Sequence, residues 1–102
     1  MEIIYITAAN KREAKKIARE LIKARLVACV NIIGGVTSVY RWKGRIEEGA
    51  EALLIAKTRK ARVHAVIKKV KSIHSYSCPC VLSIPVRSVN RCFLQWIKEE
   101  TG

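Results

Sequence analysis

Sixteen residues, Val27 to Trp42 (VACVNIIGGVTSVYRW), read as one extended run, and a Lys43-Gly44 turn sends RIEEGAEALLIAKT back to Thr58. A run of that length reaches about 50 Å at ~3.3 Å per extended residue. A compact domain of this size has a radius of gyration near ~13 Å. The ribbon must therefore bend sharply or project. A projecting two-stranded ribbon is marginal in water, and its unpaired edges invite strands from another chain. The expectation is an oligomer whose subunits share strands, with any functional site sought first between subunits.

The rest of the chain supplies a body for that ribbon. IIYITAA, residues 3 to 9, is rich in β-formers and reads as a first strand. Asn10 and Glu13 have capping-box spacing. Behind them Ala14, Ile17, Ala18, Leu21 and Ile22 recur at helical spacing as a core stripe. Val27, Cys29 and Ile33 alternate with Ala28, Val30 and Ile32, the pattern of a strand buried on both faces. Paired Gly34-Gly35 mark a bulge or bend. Beyond them Val36, Ser38, Tyr40 and Trp42 share one face, and rings on a projecting part mark an interface. Thr58 is placed to cap a second helix with the stripe Val63, Val66, Ile67, Val70 and Ile73. CVLSIPV is a further strand, put at an edge by Pro85, and a last short helix holds Phe93, Leu94, Trp96 and Ile97 against the body. The order βαββαβ plus a C-terminal helix predicts an α+β, ferredoxin-like split βαβ fold: one domain over 1–102, an antiparallel sheet and a long central hairpin.

Twenty Lys and Arg against eight Glu and no Asp give a net charge of +12. Such a field draws phosphates, nucleic acid or anionic lipid and works against capture of free divalent cations. The alternative is a solvated, charge-rich surface of the kind found in heat-stable proteins. Base-specific nucleic-acid recognition is not expected. The third strand EALLIAKT has no aromatic residue on which bases could stack, and the RNA-recognition signature is missing. No P-loop and no G-x-S-x-G occurs, and Glu47, Glu48 and Glu51 read as a solvated face, so an enzyme is not expected. His64 reads as a surface residue of the second helix. The longest apolar run, ALLIA, is too short for a bilayer, and MEIIYITAAN is not a secretory signal. A soluble cytoplasmic chain without membrane contact is the expectation.

Cysteines stand at 29, 78, 80 and 92. Cys29 and Cys92 read as packing residues. Cys78-Pro79-Cys80 has a spacing that could carry chemistry, because residues two apart on an extended segment project together. Two thiolates with the imidazole of His74 suit Cu(I) or Zn(II), and neighbouring cationic side chains would favour thiol ionisation. The other reading is two small buried cysteines, one of them entering the fourth strand.

The stretches ARLVACVNIIGGVTSVYRWKGRIEEGAEALLIAKT, HSYSCPCVLSIPV and FLQWIKEET closely resemble the CutA divalent-cation tolerance family, over nearly the whole chain. The resemblance implies a tight homotrimer, similar in architecture to the trimeric PII signalling proteins. It also implies an association with copper or another divalent metal, no metal needed for folding, and no firmly attached enzymatic activity. His74, Tyr76 and Pro79 match the H-P-Y-E-x-P-E pattern that family members carry, while Ser75, Ser77 and Cys80 depart from it. Ile6 stands where some bacterial members carry a copper-linked cysteine. Tyr40, Trp42, Lys57 and Tyr76, with His74, look like shared family residues near strand ends. They are candidates either for a ligand pocket between subunits, holding a small anionic metabolite, or for packing along the trimer seam. The expected metal ligands are His74, Cys78 and Cys80.

Overall fold

A computed structural model describes residues 1–102. In chain order it contains β1 (Glu2–Ala8), α1 (Lys11–Lys23), β2 (Cys29–Trp42), β3 (Arg45–Thr58), a 3₁₀ turn at Lys60–Arg62, α2 (Val63–Ile73), β4 (Val81–Pro85) and α3 (Arg91–Glu100). The sheet order is β2-β3-β1-β4 with every neighbouring pair antiparallel, the split βαβ arrangement expected from the sequence.

The core lies between one sheet face and the helices. Ile4, Ile6 and Ala8 of β1 and Ala52, Leu54 and Ala56 of β3 point into it. They meet Ala14, Ile17, Ala18 and Leu21 of α1 and Val66 and Val70 of α2. The side-chain period of two on the strands and the helical stripe on α1 thus converge on one apolar layer. Asn10 caps α1: its Oδ1 accepts the Glu13 N–H at 2.8 Å, and Glu13 Oε1 accepts the Ala9 N–H at 2.9 Å. Three arginines fasten α3 by its last carbonyls. Arg25 donates to those of Glu99 and Gly102, and Arg59 and Arg62 donate to that of Thr101.

Three local expectations are corrected. Ile22 is 45% exposed, because the buried stripe of α1 ends with Leu21. Thr58 caps nothing; it is buried at the end of β3 and donates its hydroxyl to the Leu26 carbonyl at 2.7 Å, while α2 starts five residues later. β2 is buried on one face only, since Asn31 and Ile33 are exposed on the side away from the helices. Cys29 shares that open face, half-buried, and Cys92 is exposed on α3. The open face also carries Leu82 and Ile84, both exposed.

Beyond Ala52 the hairpin outruns the sheet. β1 ends at the Ala8↔Ala52 pair, so Val36–Trp42 and Arg45–Glu51 pair only with each other. The longest dimension of the chain is 45 Å against 25 and 22 Å across. The arm starts at a bulge: Ile33 pairs with Leu53 and Val36 with Glu51, one extra residue on β2. Gly35 supplies that residue's left-handed backbone, with φ of 69°. At the tip, Lys43 and Gly44 both have positive φ, the two-residue turn whose twist matches the flanking strands.

Candidate functional site

The segment 74–80 between α2 and β4 is fixed at three points around the base of the arm. His74 is the first. Its side chain is fully buried, with Nε2 2.7 Å from the Thr7 carbonyl and Nδ1 3.0 Å from the Tyr76 amide. A carbonyl only accepts and an amide N–H only donates, so Nε2 carries the proton and Nδ1 is the acceptor. Glu13 is the second point: Oε2 accepts the Ser75 N–H at 2.7 Å and lies 3.8 Å from His74 Nδ1. Burial pushes the Glu13 carboxyl up, but the hydrogen bonds from Ser75 and Ala9 bring it to a net position below the ordinary range. Tyr76 is the third point, its O–H donating to Glu51 Oε2 at 2.9 Å. Burial, then the hydrogen bond and charge of Glu51, push the Tyr76 phenol up to about 12.

Between this segment and the arm lies a cleft of about 590 Å³. Thr7 and Glu51 form its base; Ser38, Tyr40, Trp42 and Gly49 form its arm wall; Tyr76, Ser77, Cys78 and Cys80 form the opposite wall. Cys78 and Cys80 are both free thiols and both exposed, so neither is the small core residue that was the other reading. The environment of Cys80 is the reverse of the one expected. Burial, followed by the nearby Glu51 carboxylate, raises its thiol above the ordinary value, and no cation offsets them. A cation entering the cleft would oppose that shift.

The expected residues divide. Tyr40, Trp42 and Tyr76 meet Cys78 and Cys80 in one cleft. Lys57 does not join them: it stands opposite Ile3 and Cys29 and donates its ammonium to Asn31 Oδ1. That hydrogen bond also explains how a charged residue is kept in an otherwise apolar strand. His74 is withdrawn from the ligand role, because both ring nitrogens are already used by backbone groups. No three His, Cys or carboxylate side chains of one chain converge as a metal cage. Glu51 is the residue that sequence reasoning left in a solvated face. It shares a strand face with Gly49 and Glu47, and only the tertiary approach of Tyr76 gives it a partner.

The family model for the CutA1 divalent ion tolerance protein matches residues 2–100. The chain belongs to the CutA1 family. A relative, the divalent-cation tolerance protein CutA of Thermus thermophilus, is 40% identical over 101 residues, which are 99% of this chain and 98% of that one. Human Protein CutA is 42% identical over 97 residues, 95% of this chain and 54% of its own length. The chain spans 56% of the chloroplastic rice relative, so it covers about half of these longer members. Among solved structures, the periplasmic divalent cation tolerance protein CutA of Archaeoglobus fulgidus superposes with a TM-score of 0.97 at 41% identity, each chain covered completely. CutA1 of Thermus thermophilus superposes at 0.96 with 40% identity. No helix of this CutA1 family member is long and apolar enough to cross a membrane.

Proposed function

We propose that this chain is a homotrimeric cation-tolerance protein that takes up soft metal ions at the thiol pair of the arm cleft. The observation that carries the reading is the pair of exposed thiols, Cys78 and Cys80, lining one cleft with Glu51 beside an arm that has no support of its own. Two thiols suit a thiophilic ion such as Cu(I) better than a hard divalent ion. An entering cation would reverse the pressure that Glu51 puts on Cys80, so uptake would release a proton. His74 is a positioning residue in this scheme, holding the start of the segment that presents the thiols. Assembly would cover the exposed rings of Tyr40 and Trp42 and close the cleft against a second copy, which can supply further donors. Four free cysteines fit a reducing, cytoplasmic setting.

The test is a competition titration of Cu(I) against a chromophoric chelator, comparing wild type with Cys78→Ser/Cys80→Ser. The double variant should lose at least about tenfold in affinity, in line with loss of ligands or their supporting shell. Equal affinity in the two proteins removes the site. His74→Ala should weaken binding less than the double variant does.

A further inference from the structure

The charge of this chain is neither scattered nor paired. The His74–Glu13 approach at 3.8 Å is the one contact within 4.0 Å between a basic and an acidic side chain. Not one of the 20 Lys and Arg residues stands that close to a carboxylate. The heat-stability reading requires charges organised into ion-pair networks, and none exists here. The +12 charge is an unneutralised field.

That field is concentrated on the helical side, opposite the sheet face that carries the cleft. The outer surface of α1 presents Lys11, Arg12, Lys15, Lys16, Arg19 and Lys23, all exposed. α2 packs beside it, contains no acidic residue and adds exposed Lys68 and Lys71. A groove of about 820 Å³ runs along α1, lined by Arg12, Lys15, Lys16 and Arg19 and reaching Ile73 and Ser75. Two carboxylates also border it. Glu13 is already bound by the Ala9 and Ser75 amides, which leaves Glu20 as the single unengaged acid. The remaining acids lie elsewhere: Glu47, Glu48 and Glu51 on the arm, Glu99 and Glu100 at the end of α3, and Glu2 against Ser83.

We propose that the α1–α2 face binds the phosphate backbone of duplex nucleic acid without reading sequence. A helical row of cations at three- and four-residue spacing lies along one side of α1, the form of charge that an extended polyanion complements. Neither helix carries Phe, Tyr or Trp, so no platform exists on which unpaired bases could stack, and single strands gain nothing over duplex. A lipid surface fits less well. The apolar residues of α1 are spent in the core, and only Ile22 remains outside to insert.

The experiment is fluorescence anisotropy with a labelled random-sequence DNA duplex of 20 base pairs, across a salt series. The variant Arg12→Gln/Lys15→Gln/Lys16→Gln/Arg19→Gln removes the groove cations while keeping good helix formers. The control Lys60→Gln/Arg87→Gln/Arg91→Gln/Lys98→Gln removes the same charge from exposed positions elsewhere. Circular dichroism of both variants verifies that they fold. Four phosphate contacts correspond to a log–log salt slope of about −3.6 and roughly a hundredfold loss of affinity between 50 and 200 mM salt. The groove variant should lose most of that slope, and the control should keep it. Equal losses in the two variants would reduce the effect to net charge and overturn the proposal. So would absence of duplex binding by wild type at 50 mM salt, or binding to anionic phosphatidylserine vesicles but not to duplex. The thiols of the cleft take no part, so a failed Cu(I) titration and a failed duplex titration report on separate claims.

Discussion

The body and the arm of this protein are built from the same two strands and differ in what lies beneath them. In the body, β3 runs between β2 and β1, and Leu54 is wholly buried under the helices. In the arm, β3 has lost β1 and has no helix over it. Ile46 is 72% exposed, Val39 60% and Trp42 56%. Strand geometry continues through the bulge while stability does not, because a ribbon of two strands has no core of its own. One chain therefore holds a finished half and an unfinished half. The candidate metal site sits at the seam between them, where the 74–80 segment is anchored to the body by His74 and Glu13 and to the arm base by Tyr76.

Truncations on the two sides should differ in kind as well as in size. Leu54→Ala leaves a cavity in the closed core and should cost about 2–5 kcal/mol in urea unfolding, with a loss independent of protein concentration. Trp42→Ala should produce a loss that grows on dilution, because in the proposed trimer a second copy covers the ring. A Trp42→Ala loss unchanged by dilution would erase the contrast between the two halves.

The bulge at the boundary gives a smaller effect. Gly35 has a left-handed backbone and nothing within 4 Å of an added Cβ, so the cost of Gly35→Ala is conformational alone. It should amount to about 1–2 kcal/mol. Gly34→Ala would bring a Cβ to 2.7 Å from Lys11 Cδ, a flexible chain that can swing aside. That change should stay within about 0.5 kcal/mol. Thermal unfolding of the pair separates backbone strain at the hinge from simple crowding beside it.

The smallest effect is on pH. The Glu13 carboxyl is lowered in the folded chain from an ordinary value of 4.5. A depressed acid contributes stability that is fully present above the unfolded value and is lost as pH falls through the folded one. The melting temperature of wild type should therefore decline on acidification below about 4.5. Glu13→Gln should start lower at neutral pH and show a flatter decline through the same window. Parallel pH curves for the two proteins would mean that this tie between body and segment contributes nothing.

Local patterns carried the fold a long way. The Lys43-Gly44 turn, the strand alternation and the stripe of α1 are each written in neighbouring residues, and the order of elements follows from them. The over-long ribbon announced the arm. Residues whose partners lie far along the chain were less legible. Thr58 has the composition of a helix cap, yet its hydroxyl goes to Leu26, 32 residues away. His74 has the chemistry of a metal ligand, yet its Nε2–H donates to the carbonyl of Thr7, 67 residues away. Cys80 sits in a strongly basic chain, yet the charge beside it is that of Glu51. Net charge describes the whole surface, and a thiol responds to what lies within a few ångströms.

Whether the arm is completed by other copies can be read directly by sedimentation equilibrium at micromolar concentration in buffer of physiological ionic strength. The sedimenting protein should be a single species of three times the 11.5 kDa chain mass, with folded circular dichroism. A well-folded species of 11.5 kDa that persists across the concentration range would contradict it, since the arm would then stand in water unaided.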